Sequence, residues 1–209
     1  MRKTAILASI FASLALLSTS TIADIANTSH DLRGQTTLLT QAGNTQICAY
    51  CHTPHNASTT NSTTPLWNHQ DTVATYTMYV SPTMANLPAT APAGVSLACL
   101  SCHDGSVAAD SLINYPTGVT GPDGIFFLGD SLGTDLSNDH PISMSYPTTA
   151  QDPDFVTPVD SQVNGLQLFG GNGDQVECGT CHSVHDNTNE PFLRMSNAGS
   201  ALCLACHTK

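Results

Sequence analysis

Hydrophobic and polar positions along this chain alternate without a sustained period, and only the first stretch departs from that rule. Arg2 and Lys3 precede an apolar run from Thr4 to Leu17, and Thr21-Ile22-Ala23 offers small residues at a cleavage point. Basic, then apolar, then small is the order of a secretory signal peptide, here residues 1–23. The run falls short of the roughly 20 apolar residues that a membrane span needs, and no later stretch approaches it, so a membrane-spanning chain is not expected. Beyond it, no amphipathic segment reaches the length of about 12 residues at which a helix holds by its own pattern. Residues 56–64 read as a polar loop. Residues 81–94 contain Pro82, Pro88 and Pro92 and cannot form a long helix, because each ring removes a backbone donor and clashes with the preceding turn. Residues 116–175 are rich in proline and glycine and predict irregular chain with turns, with a short hairpin near Gly124 to Leu128. The expected fold class is therefore irregular and loop-rich with short α-helices, in one domain over residues 24–209.

A chain this irregular needs something other than side chains to fill its interior, and its cysteines say what. All eight fall into four copies of Cys-x-x-Cys-His: Cys48 to His52, Cys99 to His103, Cys178 to His182 and Cys203 to His207. This is the attachment spacing of c-type haem, in which the two thiols add across the porphyrin vinyl groups and the adjacent histidine binds the iron from one face. Zinc sites built from paired Cys-x-x-Cys would not need a histidine after every second cysteine. A disulfide framework would not space its cysteines in four identical pairs. The cofactor expected is four covalently bound haem c, one for about every 46 residues after the signal, so porphyrin faces take the place of a side-chain core. Without them the chain is not expected to fold. Export also agrees, since c-type haems are attached outside the cytoplasm.

Charge narrows the partners. Setting aside Arg2 and Lys3 leaves three basic residues against sixteen acids, a net charge of −13. So acidic a chain does not suit nucleic acid or anionic lipid. Cationic partners and oxidised metal ions or minerals remain compatible.

Beneath the irregularity the chain repeats itself. The first half reads Cys-x-x-Cys-His-x-x-His (Cys48 to His55), then Pro65-Leu66-Trp67, then Ser96 to His103. The second reads Cys-x-x-Cys-His-x-x-His (Cys178 to His185), then Pro191-Phe192-Leu193, then Ser200 to His207. One histidine precedes each half, His30 and His140. Two dihaem repeats follow, over about 30–110 and 135–209.

Nine histidines are present. His52, His103, His182 and His207 are spent as proximal iron ligands, which leaves His30, His55, His69, His140 and His185 for four opposite faces. His55 and His185 stand one helical turn from a proximal histidine and cannot reach round their own haem, so each is expected on the iron of a neighbouring one. Asp139 stands ready to orient His140. His69 has no counterpart in the repeat and is the spare, expected to face solvent or a propionate. Met78, Met84, Met144 and Met195 are expected to pack. His30 lies in an arm, Asp24 to Ile47, with no haem motif of its own, and is expected to serve an iron in a neighbouring subunit, the alternative being a haem in its own chain.

Several segments carry a family resemblance: Cys-Ala-Tyr-Cys-His-Thr-Pro-His (48–55), Pro-Leu-Trp-Asn (65–68), Cys-Leu-Ser-Cys-His-Asp-Gly (99–105), Gly-Thr-Asp-Leu-Ser-Asn-Asp-His-Pro-Ile-Ser (133–143) and Cys-Gly-Thr-Cys-His-Ser-Val-His-Asp (178–186). They resemble the doubled Cys-x-x-Cys-His cytochromes and, in order and number, the extracellular tetrahaem cytochromes of the OmcE type. The likeness runs from about His30 to Lys209, while Tyr76 to Gly94 departs from it. It implies a multihaem c-type cytochrome wrapped around a chain of stacked haems, with histidine on both faces of every iron. It also implies a homopolymeric filament outside the cell in which one sixth ligand crosses the subunit boundary. The expected function is electron transfer, not catalysis, with redox cytochromes and extracellular metal oxides as partners. A monomeric periplasmic shuttle is the alternative. A multihaem reductase is less favoured, because an open iron site is not expected where five histidines serve four irons.

Overall fold

The computed structural model describes residues 25–34, 45–61, 63–119, 128–129 and 131–209. The expected signal peptide lies outside the described residues, as does all but Leu128 of the hairpin expected near Gly124.

The chain is irregular and loop-rich, with short helices and small sheets. Three α-helices occur among the described residues: α1 (Gly94–His103), α2 (Cys178–Cys181) and α3 (Ala201–Leu204). A 3-10 turn, Ile47–Tyr50, leads into the first haem motif. Six two-residue strands pair into three sheets. In order they are β1 (Thr77–Met78), β2 (Asp135–Leu136), β3 (Met144–Ser145), β4 (Gln162–Val163), β5 (Leu166–Gln167) and β6 (Gln175–Val176). β1 pairs parallel with β2, while β3 with β6 and β4 with β5 are antiparallel. Tyr76 to Gly94, the stretch outside the family likeness, enters this framework through β1.

Each helix sits where a motif needs it. α1 opens at Gly94 (φ 55°), and the preceding Ala93 N–H donates to Ser143 Oγ at 3.0 Å. It buries Ser96, Ala98, Leu100 and Ser101 and ends at Asp104, whose carboxylate accepts the Tyr76 hydroxyl. α2 is one turn closed by a capping box: Thr180 N–H and Glu177 N–H are satisfied by Glu177 and Thr180 side chains respectively. Asn164 and Gly165, both at positive φ (48° and 89°), join β4 to β5 in a tight hairpin.

Among the described residues no single core forms, and ten of the buried apolar side chains gather in three small groups: Tyr50, Leu112 and Val119; Tyr76, Met78, Leu100 and Leu136; and Tyr146, Val163 and Leu168. Among the described residues no helix is long and apolar enough to cross a membrane.

Candidate haem sites

The first and third motifs are built alike down to individual hydrogen bonds. His52 N–H donates to Cys48 O at 2.9 Å, and His182 N–H to Cys178 O at 3.0 Å. Thr53 N–H reaches Leu66 O and Ser183 N–H reaches Phe192 O, both at 2.8 Å. Asn68 N–H donates to Cys51 O and Arg194 N–H to Cys181 O, both at 2.9 Å. Leu66 and Phe192 share the left-handed backbone, with φ of 54° and 58°. The 3-10 turn ends at Tyr50 in the first and α2 ends at Cys181 in the third, and in both the histidine turns into an isolated bridge, His52 with Trp67 and His182 with Leu193. The second motif differs, because α1 continues through His103.

These turns aim the imidazoles. His52 Nδ1 lies 2.7 Å from Pro65 O, and His182 Nδ1 lies 3.1 Å from Pro191 O. A carbonyl only accepts, so Nδ1 carries the hydrogen and the Nε2 lone pair is left for a metal. His140 is fixed the same way, through Nδ1 to Pro141 O at 2.9 Å. The expectation that Asp139 orients it is therefore corrected: the adjacent carbonyl, held by the proline, does so.

Three histidine pairs then face each other. His30 and His103 have ring centres 6.0 Å apart, His52 and His185 6.2 Å, and His140 and His207 6.5 Å. A metal–imidazole bond is about 2 Å, so two imidazoles on opposite faces of one iron have ring centres roughly 6 Å apart. Each pair joins a motif histidine to one outside the motifs. Among the described residues no group of three or more His, Cys, Asp or Glu converges as a metal cluster. Donors in facing pairs suit a group that brings four nitrogens of its own, and the residues present fit haem.

His30 is held within its own chain. Its ring packs edge-on against Phe192 at 4.5 Å, and its Nδ1 is buried without a hydrogen-bond partner. Burial first, then His103, His182 and His185, lowers its pKa to about 4, which keeps the ring neutral as a ligand must be. This placement favours the alternative in which His30 serves an iron in its own chain, opposite His103. The arm around it is anchored by Phe192, a contact between distant segments that no local pattern signals. Of the eight histidines expected on iron, His182 and His55 are left without a facing imidazole among the described residues, and His55 is exposed.

His69 is neither solvent-facing nor paired with another histidine. It is 2% exposed, and its nitrogens meet Gln70 O at 2.8 Å and Ala108 O at 3.0 Å. Both ring positions are taken by backbone, and burial lowers its pKa. Met78 and Met144 are buried among apolar neighbours.

The cysteines bring the motifs together. All eight are free thiols in the structure. Cys51 and Cys102, Cys99 and Cys178, and Cys181 and Cys206 interact electrostatically, so each motif lies beside the next. Burial pushes Cys51 and Cys181 up to about 11 and Cys102 up to about 12, while a hydrogen bond to Cys178 keeps the proton on Cys99.

Two residues escaped the sequence reading. Glu177 is 2% exposed between the second and third motifs, and its Oε2 accepts from Ser96 and from Ser143 Oγ at 3.0 Å. A buried carboxyl beside Cys178 carries no sequence signal apart from its capping-box spacing to Thr180. Arg194 occupies the place that Asn68 holds in the first half, a difference visible once the two repeats are aligned.

Residues 171–209, which include the third and fourth motifs, match the family of the doubled CXXCH motif. No relative among curated proteins matches the chain. The matched segment supports a multihaem c-type cytochrome.

Proposed function

We propose that this chain is an electron conduit outside the cell, carrying four c-type haems with imidazole on both faces of each iron and continuing from one copy of the chain to the next. When bound, haem supplies reversible one-electron chemistry at its iron. Cys48 and Cys51, Cys99 and Cys102, Cys178 and Cys181, and Cys203 and Cys206 hold the porphyrins. His52, His103, His182 and His207 bind one face. His185, His30 and His140 bind the opposite face at the first, second and fourth motifs.

The observation that carries this reading is the His52–His185 pair, because it crosses from one half of the chain to the other. The remaining two pairs stay within a half: His30 with His103 in the first, His140 with His207 in the second. The rule is then simple: the +3 histidine of one half serves the first motif of the half before it. Applied once more, it asks for a +3 histidine opposite His182, and exposed His55 of another copy is the residue that meets the requirement. Such a contact is head-to-tail and does not close on itself, so it builds a filament. Secretion, filament growth and metal-oxide acceptors rest on this proposal.

His55→Ala tests it. Secreted variant protein is expected as monomers, with one of four irons high-spin in the electron paramagnetic resonance spectrum. Four low-spin irons in a variant that no longer assembles would place the His182 partner elsewhere in the chain and favour the monomeric shuttle. Intact filaments of the variant would overturn the proposed junction.

A further inference from the structure

The first and third motifs repeat each other's backbone, so the places where their side chains differ mark where these two haem sites are not equivalent. One difference carries charge. Where the first half has Asn68, 1% exposed and bonded through Nδ2 to Ala49 O at 2.6 Å and Asn114 O at 2.7 Å, the second has Arg194. Arg194 Nε donates to Gly179 O at 2.6 Å, inside the Cys178–Cys181 turn, and its guanidinium carbon lies 6.0 Å from the Phe169 ring centre. Side chain and backbone both hold it against the third motif.

Its charge is also unusual for this chain. Among the described residues there are three basic side chains. Arg33 is paired with Asp31 and Lys209 with Asp154. Arg194 has no carboxylate partner among the described residues. The protein carries sixteen acids, so a cation left unneutralised at one haem motif stands out against its surroundings.

We propose that Arg194 raises the reduction potential of the haem on Cys178 and Cys181 above that of its counterpart on Cys48 and Cys51. Adding one electron converts ferric to ferrous iron and lowers the local positive charge by one unit. A fixed cation nearby loses a repulsion in that step, so the reduced form is favoured. No bond forms or breaks, and the electron comes from a reductant such as dithionite in the test. The field of Arg194 reaches His185 too, which faces His52. The third motif is nonetheless the nearer one, since the Nε hydrogen bond is made within it. This inference rests on the haem-bearing reading above and selects the third haem, the one at the proposed junction between copies, as the favoured resting place for an electron.

The experiment is a spectroelectrochemical titration of the secreted, haem-loaded chain, comparing parent, Arg194→Gln and Arg194→Lys. Haem content and spin state of the parent are measured first. Fewer than four low-spin haems there would count against the haem-bearing reading itself, independently of Arg194. With four haems present, Arg194→Gln is expected to move one component to more negative potential while three stay. Arg194→Lys, which keeps the charge, is expected to leave all four near the parent. The moving component is assigned by NMR from contacts between its haem methyl groups and residues 178–182. No shift in either variant overturns the proposal. Equal shifts in both would trace the effect to the Gly179 hydrogen bond and overturn it as well, as would a moving component assigned to the first motif.

Discussion

At the scale of single residues, a histidine's role in this chain is decided by what its two nitrogens already touch. His52, His140 and His182 each give Nδ1 to a neighbouring carbonyl and keep Nε2 available. His69 has carbonyls at both nitrogens and no position left for a metal. His69→Ala is therefore expected to leave four low-spin haems and an unchanged visible spectrum. It should nonetheless lower stability by about 1–3 kcal/mol, because the buried carbonyl that accepts the one N–H of the neutral ring loses its partner. Thermal melting beside the absorption spectrum checks both halves of that statement, and loss of one low-spin haem would reverse the assignment. The motif histidines are legible because the motif is local, five residues long and complete in itself. Facing partners were harder, since His185 meets His52 across more than half the chain. Sequence supplied the candidates by counting, but only folded geometry could bring His30 beside Phe192 and His103.

At the scale of elements, short helices at the haem motifs follow from the spacing of cysteine and histidine. Where each one stops does not. α1 runs through His103, whereas the first and third motifs break at the second cysteine to let the histidine bridge to a following Pro-x-x segment. The hairpin of β4 and β5 was legible in principle, because Asn164-Gly165 between Val163 and Leu166 is the strongest short signal for that turn. The irregular composition around it drew attention to Gly124 instead. Glu177 joins α1 to α2 and was hidden, since nothing local shows that an acid will be buried. Its burial raises its pKa above the ordinary 4.5. Below pH 4.5 it is protonated in folded and unfolded chains alike and does not alter their balance. As pH rises above that value the unfolded chain releases the proton first, so stability falls until the folded group also ionises. Glu177→Gln removes this loss. Its melting temperature relative to the parent is expected to increase from pH 4 to pH 7, and a difference that stays constant over that range would show that Glu177 does not titrate in this way.

At the scale of the whole molecule, the question is what holds so irregular a chain together. Among the described residues, ten of the buried apolar side chains form three separate groups of three or four each. Ordering the backbone costs about 1–2 kcal/mol per residue, and groups of that size cannot offset it across a domain. Beside them, the cysteines bring consecutive motifs together and the imidazoles face one another at 6.0, 6.2 and 6.5 Å. Neither set of contacts is a strong bond by itself: facing neutral imidazoles 6 Å apart attract weakly, and His30 buries an unpartnered nitrogen to take its place. A haem iron held by the facing histidines would convert each weak approach into metal–ligand bonds, and its porphyrin would supply the missing apolar surface. The chain should therefore depend on its haems for folding and not merely for function. Replacing all eight cysteines by alanine in the secreted chain tests this. The expected product shows no cooperative thermal transition and is degraded rapidly by a small amount of protease, while the haem-loaded parent resists. A cooperative melt of the haem-free chain, with a far-ultraviolet spectrum like the parent's, would mean that the three small groups and the polar staples at Asn68 and Glu177 are sufficient, and that the haems are cargo in a scaffold that stands without them.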